Sequence, residues 1–195
     1  MPTQVRGGKK VIIDAAVSLF TTVGYHGASM RDIASRADVT VASIYYHFKS
    51  KQEILQEIMV GILTEVITET RTSVLAAGNE PSRQLDALVR SWVLFHVRRE
   101  DEALIGASEI RSLDAEGLTK IVSLRDEQEN IFRAVVDRGV EEGAFLTPHP
   151  HEAARAIIAM GRSIVGWYRA DGPVSPEALA AEYAELALAM VRSSD

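Results

Sequence analysis

Cysteine is absent from all 195 residues. That excludes a disulfide framework, a thiol nucleophile and cysteine-ligated zinc, and it fits a reducing compartment. No apolar run approaches the roughly 18 residues needed to cross a bilayer. The opening MPTQVRGGKK lacks the apolar stretch of a secretory signal. The expectation is a cytoplasmic protein with no membrane association. Proline is scarce: none lies between Pro2 and Pro81, and the rest are Pro148, Pro150, Pro173 and Pro176. These breaks leave long helical stretches near 3–80, 82–147, 151–172 and 177–195. No segment alternates apolar and polar residues with β-branched enrichment, so no strand is predicted. No glycine-rich phosphate loop, G-x-S-x-G elbow or H-E-x-x-H pair occurs. The best candidate for metal chemistry is His149-Pro-His151-Glu152, which lacks further ligands at a suitable spacing and suits a loop and helix start instead. We expect no enzyme activity, no metal and no cofactor.

What is present is a chain built to pack, 47% hydrophobic and 25% charged. Its charge is uneven. Residues 1–52 hold seven Lys/Arg and three acids, a balance of +4 within a total of −6, so the remainder stands at −10. A basic head on an acidic body suits a head that meets a polyanion.

Helix 1 is predicted from about Lys9 to Val23, with Ile12, Ala16, Leu19, Phe20 and Val23 on one face and Gly24 as its stop. The preceding VRGGKK reads as a frayed tail or as an arm touching phosphate. A short second helix follows the cap Ser29, with Asp32 three residues on and Ile33 and Ala34 inward. Ala37-Asp38-Val39 form a turn. Thr40 caps a third helix, VASIYYHF, in which Ile44 and Phe48 face inward and Val41, Ala42, Ser43, Tyr46 and His47 face largely outward. Ser50 and Glu53 form a capping box for a long fourth helix to about Ala77. Its doublets Ile54/Leu55, Ile58/Met59, Ile62/Leu63 and Val66/Ile67 give a wide apolar face.

An exposed helix carrying short side chains, tyrosines and a histidine, flanked by Lys and Arg, suits duplex DNA. Short residues approach base edges in the major groove, while hydroxyls and ammonium groups reach phosphates. The stretch GASMRDIASRADVTVASIYYHFKSKQEIL resembles the DNA-binding domain of the TetR family of bacterial repressors, over about Val11 to Leu55. The resemblance implies that Ser29 and Lys51 touch phosphate. Arg31 and the outward residues of helix 3, from its cap Thr40 through Val41, Ala42, Ser43 and His47, read or border bases, and Tyr45 and Tyr46 clamp the backbone. Many members have a basic or polar residue and then Gly where this chain has Val41-Ala42, which puts van der Waals contact in place of polar readout there. The resemblance also implies a homodimer on a palindromic operator.

The body continues with helices near Ser82–Arg99, Glu102–Leu113, Ala115–Glu142, His151–Arg169 and Pro176–Arg192. The last two look suited to dimerisation or to completing the core. One offers Ala153, Ala154, Ala156, Ala159, Gly161 and Gly166; the other a seam of Leu179, Tyr183, Leu186 and Met190. Polar residues interrupt the apolar stripes at His96, Glu109, Arg125 and Gln128. They either satisfy one another, Glu109 with Arg125 or Arg111, or line a ligand cavity. Trp92, Phe95, Phe132, Met160 and Trp167 are core or cavity walls. RDEQENIFR, GVEEGAF and GWYRADG are similar to the TetR subgroup that senses acyl-CoA thioesters of fatty-acid or sterol catabolism. A CoA ligand would call on Arg98, Arg99, Arg125 or Arg162. Alternatives are an efflux regulator answering lipophilic drugs and a regulator controlled by a protein partner.

The expected fold is therefore all-α, with a helix-turn-helix three-helix DNA-binding head at 1–49 and a larger helical bundle at 50–195 for ligand binding and dimerisation. Expected partners are an operator duplex, a second copy of the chain and a small-molecule effector, possibly an acyl-CoA.

Overall fold

The computed structural model describes residues 5–192, with side chains from residue 8 onward. Arg6, in the expected basic arm, thus lies outside the described side chains. The elements are helices α1 (Val5–Gly27), α2 (Met30–Arg36), α3 (Val41–His47), α4 (Lys51–Ala76), α5 (Pro81–Arg98), α6 (Glu100–Ser108), α7 (Ala115–Glu141), α8 (Pro150–Ser163) and α9 (Pro176–Val191). Short 3-10 turns follow α6 (Glu109–Ser112) and α8 (Ile164–Gly166). Among the described residues there is no strand.

The chain forms two compact units. One comprises the residues up to Ile62 together with Asp101–Ile121; the other comprises Leu63–Glu100 together with the residues from Val122 on. Helices α4 and α7 supply residues to both.

In the first unit, Ile12, Ala16 and Phe20 of α1 are buried, as are Ile33 of α2 and Ile44 of α3. The first doublets of α4 join them: Ile54, Leu55, Ile58 and Met59 are all buried. Gly24, at φ +77°, breaks α1 as expected, and the chain turns through Tyr25–Gly27. The start of α1 lies earlier than predicted. VRGGKK is helical despite two glycines, and Gly8 has a packing reason: a Cβ there would lie 3.1 Å from Nε2 of His47. Lys9 also pairs with Glu57 at 2.6 Å.

In the second unit, α5 is the central helix, packed along α9 and against α8. Leu85, Leu88, Val89, Trp92 and Phe95 form its buried stripe, as the spacing predicts. Trp92 lies so close to α8 that a Cβ on Gly161 would sit 2.2 Å from the indole, and its Nε1 donates to the Ile158 carbonyl at 3.2 Å. Phe145 folds back on Gly139 in the same way, after Gly143 at φ +73° ends the turn beyond α7. Leu146 then donates its backbone N–H to Val191 at the end of α9.

Several expectations from periodicity are corrected. Val23, expected on the apolar face of α1, is exposed, as are Leu118 and Val122 of α7. Helix α8 stops at Ser163 rather than Arg169. Ile164 and Tyr168 both turn inward, the chain tightens into a 3-10 turn between them, and the Tyr168 hydroxyl donates to the Val174 carbonyl at 3.1 Å. Helix α6 likewise ends at Ser108 in a 3-10 turn. The seam assigned to α9 is divided, because Leu179 is buried within the chain while Leu186 is 52% exposed. Of the small residues of α8, Ala153, Ala154 and Gly161 are buried in the chain, and Ala156 and Ala159 are exposed.

These packing distances give opposite signs to two glycine-to-alanine changes. Gly161→Ala should destabilise the protein by about 1–3 kcal/mol because the indole cannot yield. Gly61→Ala, whose new methyl group would meet nothing within 4 Å apart from the backbone of its own helix, should stabilise it by up to about 1 kcal/mol. Urea unfolding of both variants checks the pair, and a shared sign would contradict the packing described for Trp92.

Candidate nucleic-acid interface

The first unit presents two short helices joined by a tight turn. Ser29 caps α2: its hydroxyl oxygen accepts the Asp32 N–H at 3.2 Å, and the Asp32 carboxylate accepts the Ser29 N–H at 2.9 Å. The Ser29 hydroxyl proton also goes to that carboxylate, at 2.6 Å. These hydrogen bonds hold the Asp32 carboxyl below its ordinary value. In the turn, Asp38 takes φ +51°, a left-handed conformation that Asp tolerates better than most residues. Val39 N–H returns to the Ala34 carbonyl at 3.0 Å.

Helix α3 begins at its cap Thr40, whose side chain accepts the Ser43 N–H at 3.1 Å. Ile44 and Phe48 are buried, and their direction fixes that of the others. Tyr46 is 77% exposed and Tyr45 53%. Ala42, Thr40 and Arg31 are exposed, while Val41, Ser43 and His47 are half-buried. The rings of Tyr46 and His47 meet edge to face with centroids 5.0 Å apart. Helix α3 therefore turns Ala42, Tyr45 and Tyr46 outward with Val41, Ser43 and His47 partly exposed beside them, and the small residues lie at its N-terminal end, which carries a positive partial charge.

Lys51 is placed differently. Its ammonium points inward and donates to the carbonyls of Tyr25 and Ala28, each at 2.6 Å. Tyr25, unremarked in the sequence, is buried and packs edge to face on Phe20. A second polar group forms at the nearby turn Glu109–Ser112. The Ser112 hydroxyl donates to Glu109 at 2.8 Å and so accepts from His26 Nε2 at 3.2 Å, while its carbonyl takes the Gln52 amide. The only sequence signal was the polar interruption at Glu109. Lys9 lies 5.4 Å from the Phe48 ring centroid, and Arg36 donates to Ser18.

The residues proposed for an effector do not all come together. Trp92, Phe95, His96, Gln128 and Phe132 are buried in the second unit. The Trp92 ring centroid lies 4.3 Å from that of His96 and 5.6 Å from that of Phe132. Arg125 and Met160 are half-buried and Trp167 is half-exposed. Glu109 belongs to the first unit. Two of the polar interruptions are satisfied within the bundle. Gln128 donates its amide N–H to the buried Thr70 hydroxyl at 3.2 Å, and His96 Nδ1 meets the Trp92 carbonyl at 2.8 Å. A separate cleft of about 600 Å³ opens between Arg71 and Leu75 of α4, Gln84 of α5, and Ile131 and Arg138 of α7. None of the nine proposed effector residues lines it. Burial, with the neighbouring Arg162 charge, lowers the Arg125 guanidinium from its usual value. Among the described residues no His/Asp/Glu group is placed to hold a metal, and no helix is long and apolar enough to cross a membrane.

A capped reading helix whose apolar side is sunk in its own small core defines a helix-turn-helix transcriptional regulator. Residues 12–58 match the bacterial regulatory proteins of the tetR family, and residues 78–191 match the tetracyclin repressor-like C-terminal domain. The chain belongs to the tetR family, and it is a regulator rather than an enzyme. It is 29% identical over 184 residues to the HTH-type transcriptional repressor KstR2 of Rhodococcus jostii, covering 93% of this chain and 90% of that one. A tetR-family regulatory protein from Rhodococcus RHA1 superposes with a TM-score of 0.88 at 28% identity, covering 96% and 98% of the two chains. AibR, solved with isovaleryl coenzyme A and operator DNA, shares the fold with a TM-score of 0.82 at 23% identity, covering 94% and 97%.

Burial pushes the His96 imidazole down to about 4, with the Trp92 carbonyl opposing that fall and Arg162 adding to it. The unfolded chain takes up this proton near 6.5 and the folded chain only near 4, so stability falls as pH drops through that window, by at most about 3 kcal/mol. His96→Gln should flatten this fall. Urea melts at pH 7 and 4.5 compare the two proteins, and equal losses in both would clear His96 of the effect.

Proposed function

We propose that this chain is a repressor that binds a palindromic operator as a homodimer in the cytoplasm and is released by a hydrophobic small ligand. On this reading residues 1–49 contact DNA, and residues 50–195 bind effector and partner subunit. The observation that carries it is the outward strip of α3, with Tyr45 and Tyr46 exposed and Ile44 and Phe48 buried. Thr40, Val41, Ala42, Ser43 and His47 face the bases, Arg31 borders them, and the two tyrosines reach phosphates on either side. Ser29 serves as the cap of α2, since its hydroxyl proton and acceptor are both engaged by Asp32.

Support for the dimer comes from the residues that α8 and α9 leave uncovered: Ala156 and Ala159, with Leu186 exposed and Tyr183 and Met190 half-buried. Support for an acyl-CoA or related thioester comes from the resemblance at 125–133, 139–145 and 166–172, and from a relative of the same fold that binds isovaleryl coenzyme A. The aromatic group around Trp92 supplies apolar walls, and Arg125 supplies charge. Such a ligand releases DNA only by binding the released conformation more tightly than the DNA-competent one.

Tyr46→Ala should weaken operator binding by about 1.5–3 kcal/mol, the worth of a hydrogen bond to a charged group, while the protein stays folded. Undiminished binding measured by fluorescence anisotropy would remove α3 from the interface. Medium- and long-chain acyl-CoAs titrated into the preformed complex should release the duplex. Failure of all of them, with release by lipophilic drugs instead, would replace the thioester by that class.

A further inference from the structure

The first turn of α3 is apolar where it meets solvent. Positions 41 and 42 hold Val and Ala, whose side chains can neither donate nor accept a hydrogen bond. Ala42 is exposed and Val41 half-buried. Tyr45 and Tyr46, three and four residues further on, share the face of Ala42 and are both exposed. Aromatic side chains on a helix lean toward its N-terminus, which brings both rings to the side of Ala42. The Tyr46 ring is held there edge to face against His47, with centroids 5.0 Å apart. Ala42 is thus the low point among larger apolar groups, with Val41 beside it and two aromatic rings behind it. Its place is fixed from below as well. The Thr40 side chain accepts the Ser43 N–H at 3.1 Å, and Ile44 is fully buried.

A low apolar point of that size fits one group in the major groove. Thymine alone carries a methyl there, at C5. Against Ala42 that methyl loses its water without stranding a polar atom. Cytosine would bring an amino group to the same place, and a purine its N7 with O6 or N6. Each of those would be desolvated against side chains that offer no partner. We propose that Ala42 is a specificity-determining residue: its methyl group, walled by Val41, Tyr45 and Tyr46, seats the C5 methyl of one thymine in each operator half-site. This rests on α3 being the DNA-reading helix, and adds which base is read and by which group.

Deoxyuridine tests it, because it keeps the hydrogen-bonding edge of thymine and lacks only the methyl. The experiment uses the whole chain and a duplex that the wild type selects from a random-sequence pool. Each symmetry-related pair of thymines is replaced in turn by deoxyuridine, and affinities are measured at one fixed salt concentration. One pair should prove sensitive, at about fourfold for each methyl lost and about fifteenfold for both, the worth of burying groups of that size. At the same position 5-methylcytosine should bind better than cytosine by a similar factor. In Ala42→Gly the cost of that deoxyuridine pair should fall below about threefold, because the protein's half of the contact has gone. The two duplexes are compared on the same variant, so any effect on folding cancels. Ala42→Ser serves if the glycine variant does not fold; a hydroxyl gains nothing from a methyl, and the cost should fall in the same way.

A selected duplex that tolerates deoxyuridine at every thymine would overturn this inference alone. So would a sensitive pair whose full cost persists in the position-42 variant, since another residue would then read the methyl. A wild type that selects no duplex would overturn the DNA-binding reading and this inference with it.

Discussion

The interface depends on the burial of Ile44 and Phe48. A seven-residue helix cannot hold itself together in water, because the cost of nucleation exceeds the few hydrogen bonds it makes. Two apolar side chains four residues apart, both sunk in the core of the first unit, supply what α3 lacks. The same burial fixes its rotation. With those two inward, Tyr45, Tyr46 and Ala42 have only the outside left. Thr40 satisfies an orphan N–H at one end, and the Phe48 N–H returns to the Ile44 carbonyl at the other, so neither end needs DNA in order to fold.

Around this helix the first unit is tied by charges placed between backbone groups. Lys51 joins the turn after Gly24 to the start of α4, and Ser112 gathers His26, Gln52 and Glu109. Polar groups at such junctions act over a few tenths of an ångström and lose their effect when a partner moves.

The second unit is organised on Trp92. Its indole occupies the space that Gly161 leaves open, donates to the Ile158 carbonyl and meets the rings of His96 and Phe132 edge to face. That arrangement accounts for two features of the sequence that each admitted another meaning. Gly161 belongs to a small-residue stripe that suited dimerisation, yet it serves the core. His96 breaks an apolar stripe as a pocket residue would, yet it is a neutral, hydrogen-bonded part of the packing at ordinary pH. Gln128 is likewise satisfied by Thr70.

Local signals were legible in the sequence. The caps Ser29 and Thr40, the stop Gly24, the turn at Asp38 and the doublets of α4 all depend on residues within about four positions of one another, and each appears where its spacing places it. The all-helical fold and the reading helix follow from these. Partners distant in the chain decided the rest. Leu118, Val122 and Val23 have the right periodicity, but no described residue covers them; Leu179 and Leu186 share an expected seam, and one is buried while the other is exposed. Glu109 lies in a different unit from Arg125. Lys51 stands in a basic cluster, and only the fold shows its ammonium turned to two carbonyls some 23 and 26 residues earlier. Periodicity says which side of a helix is apolar; what meets that side, and where a long flexible cation comes to rest, is settled by packing between segments that the sequence does not order in space.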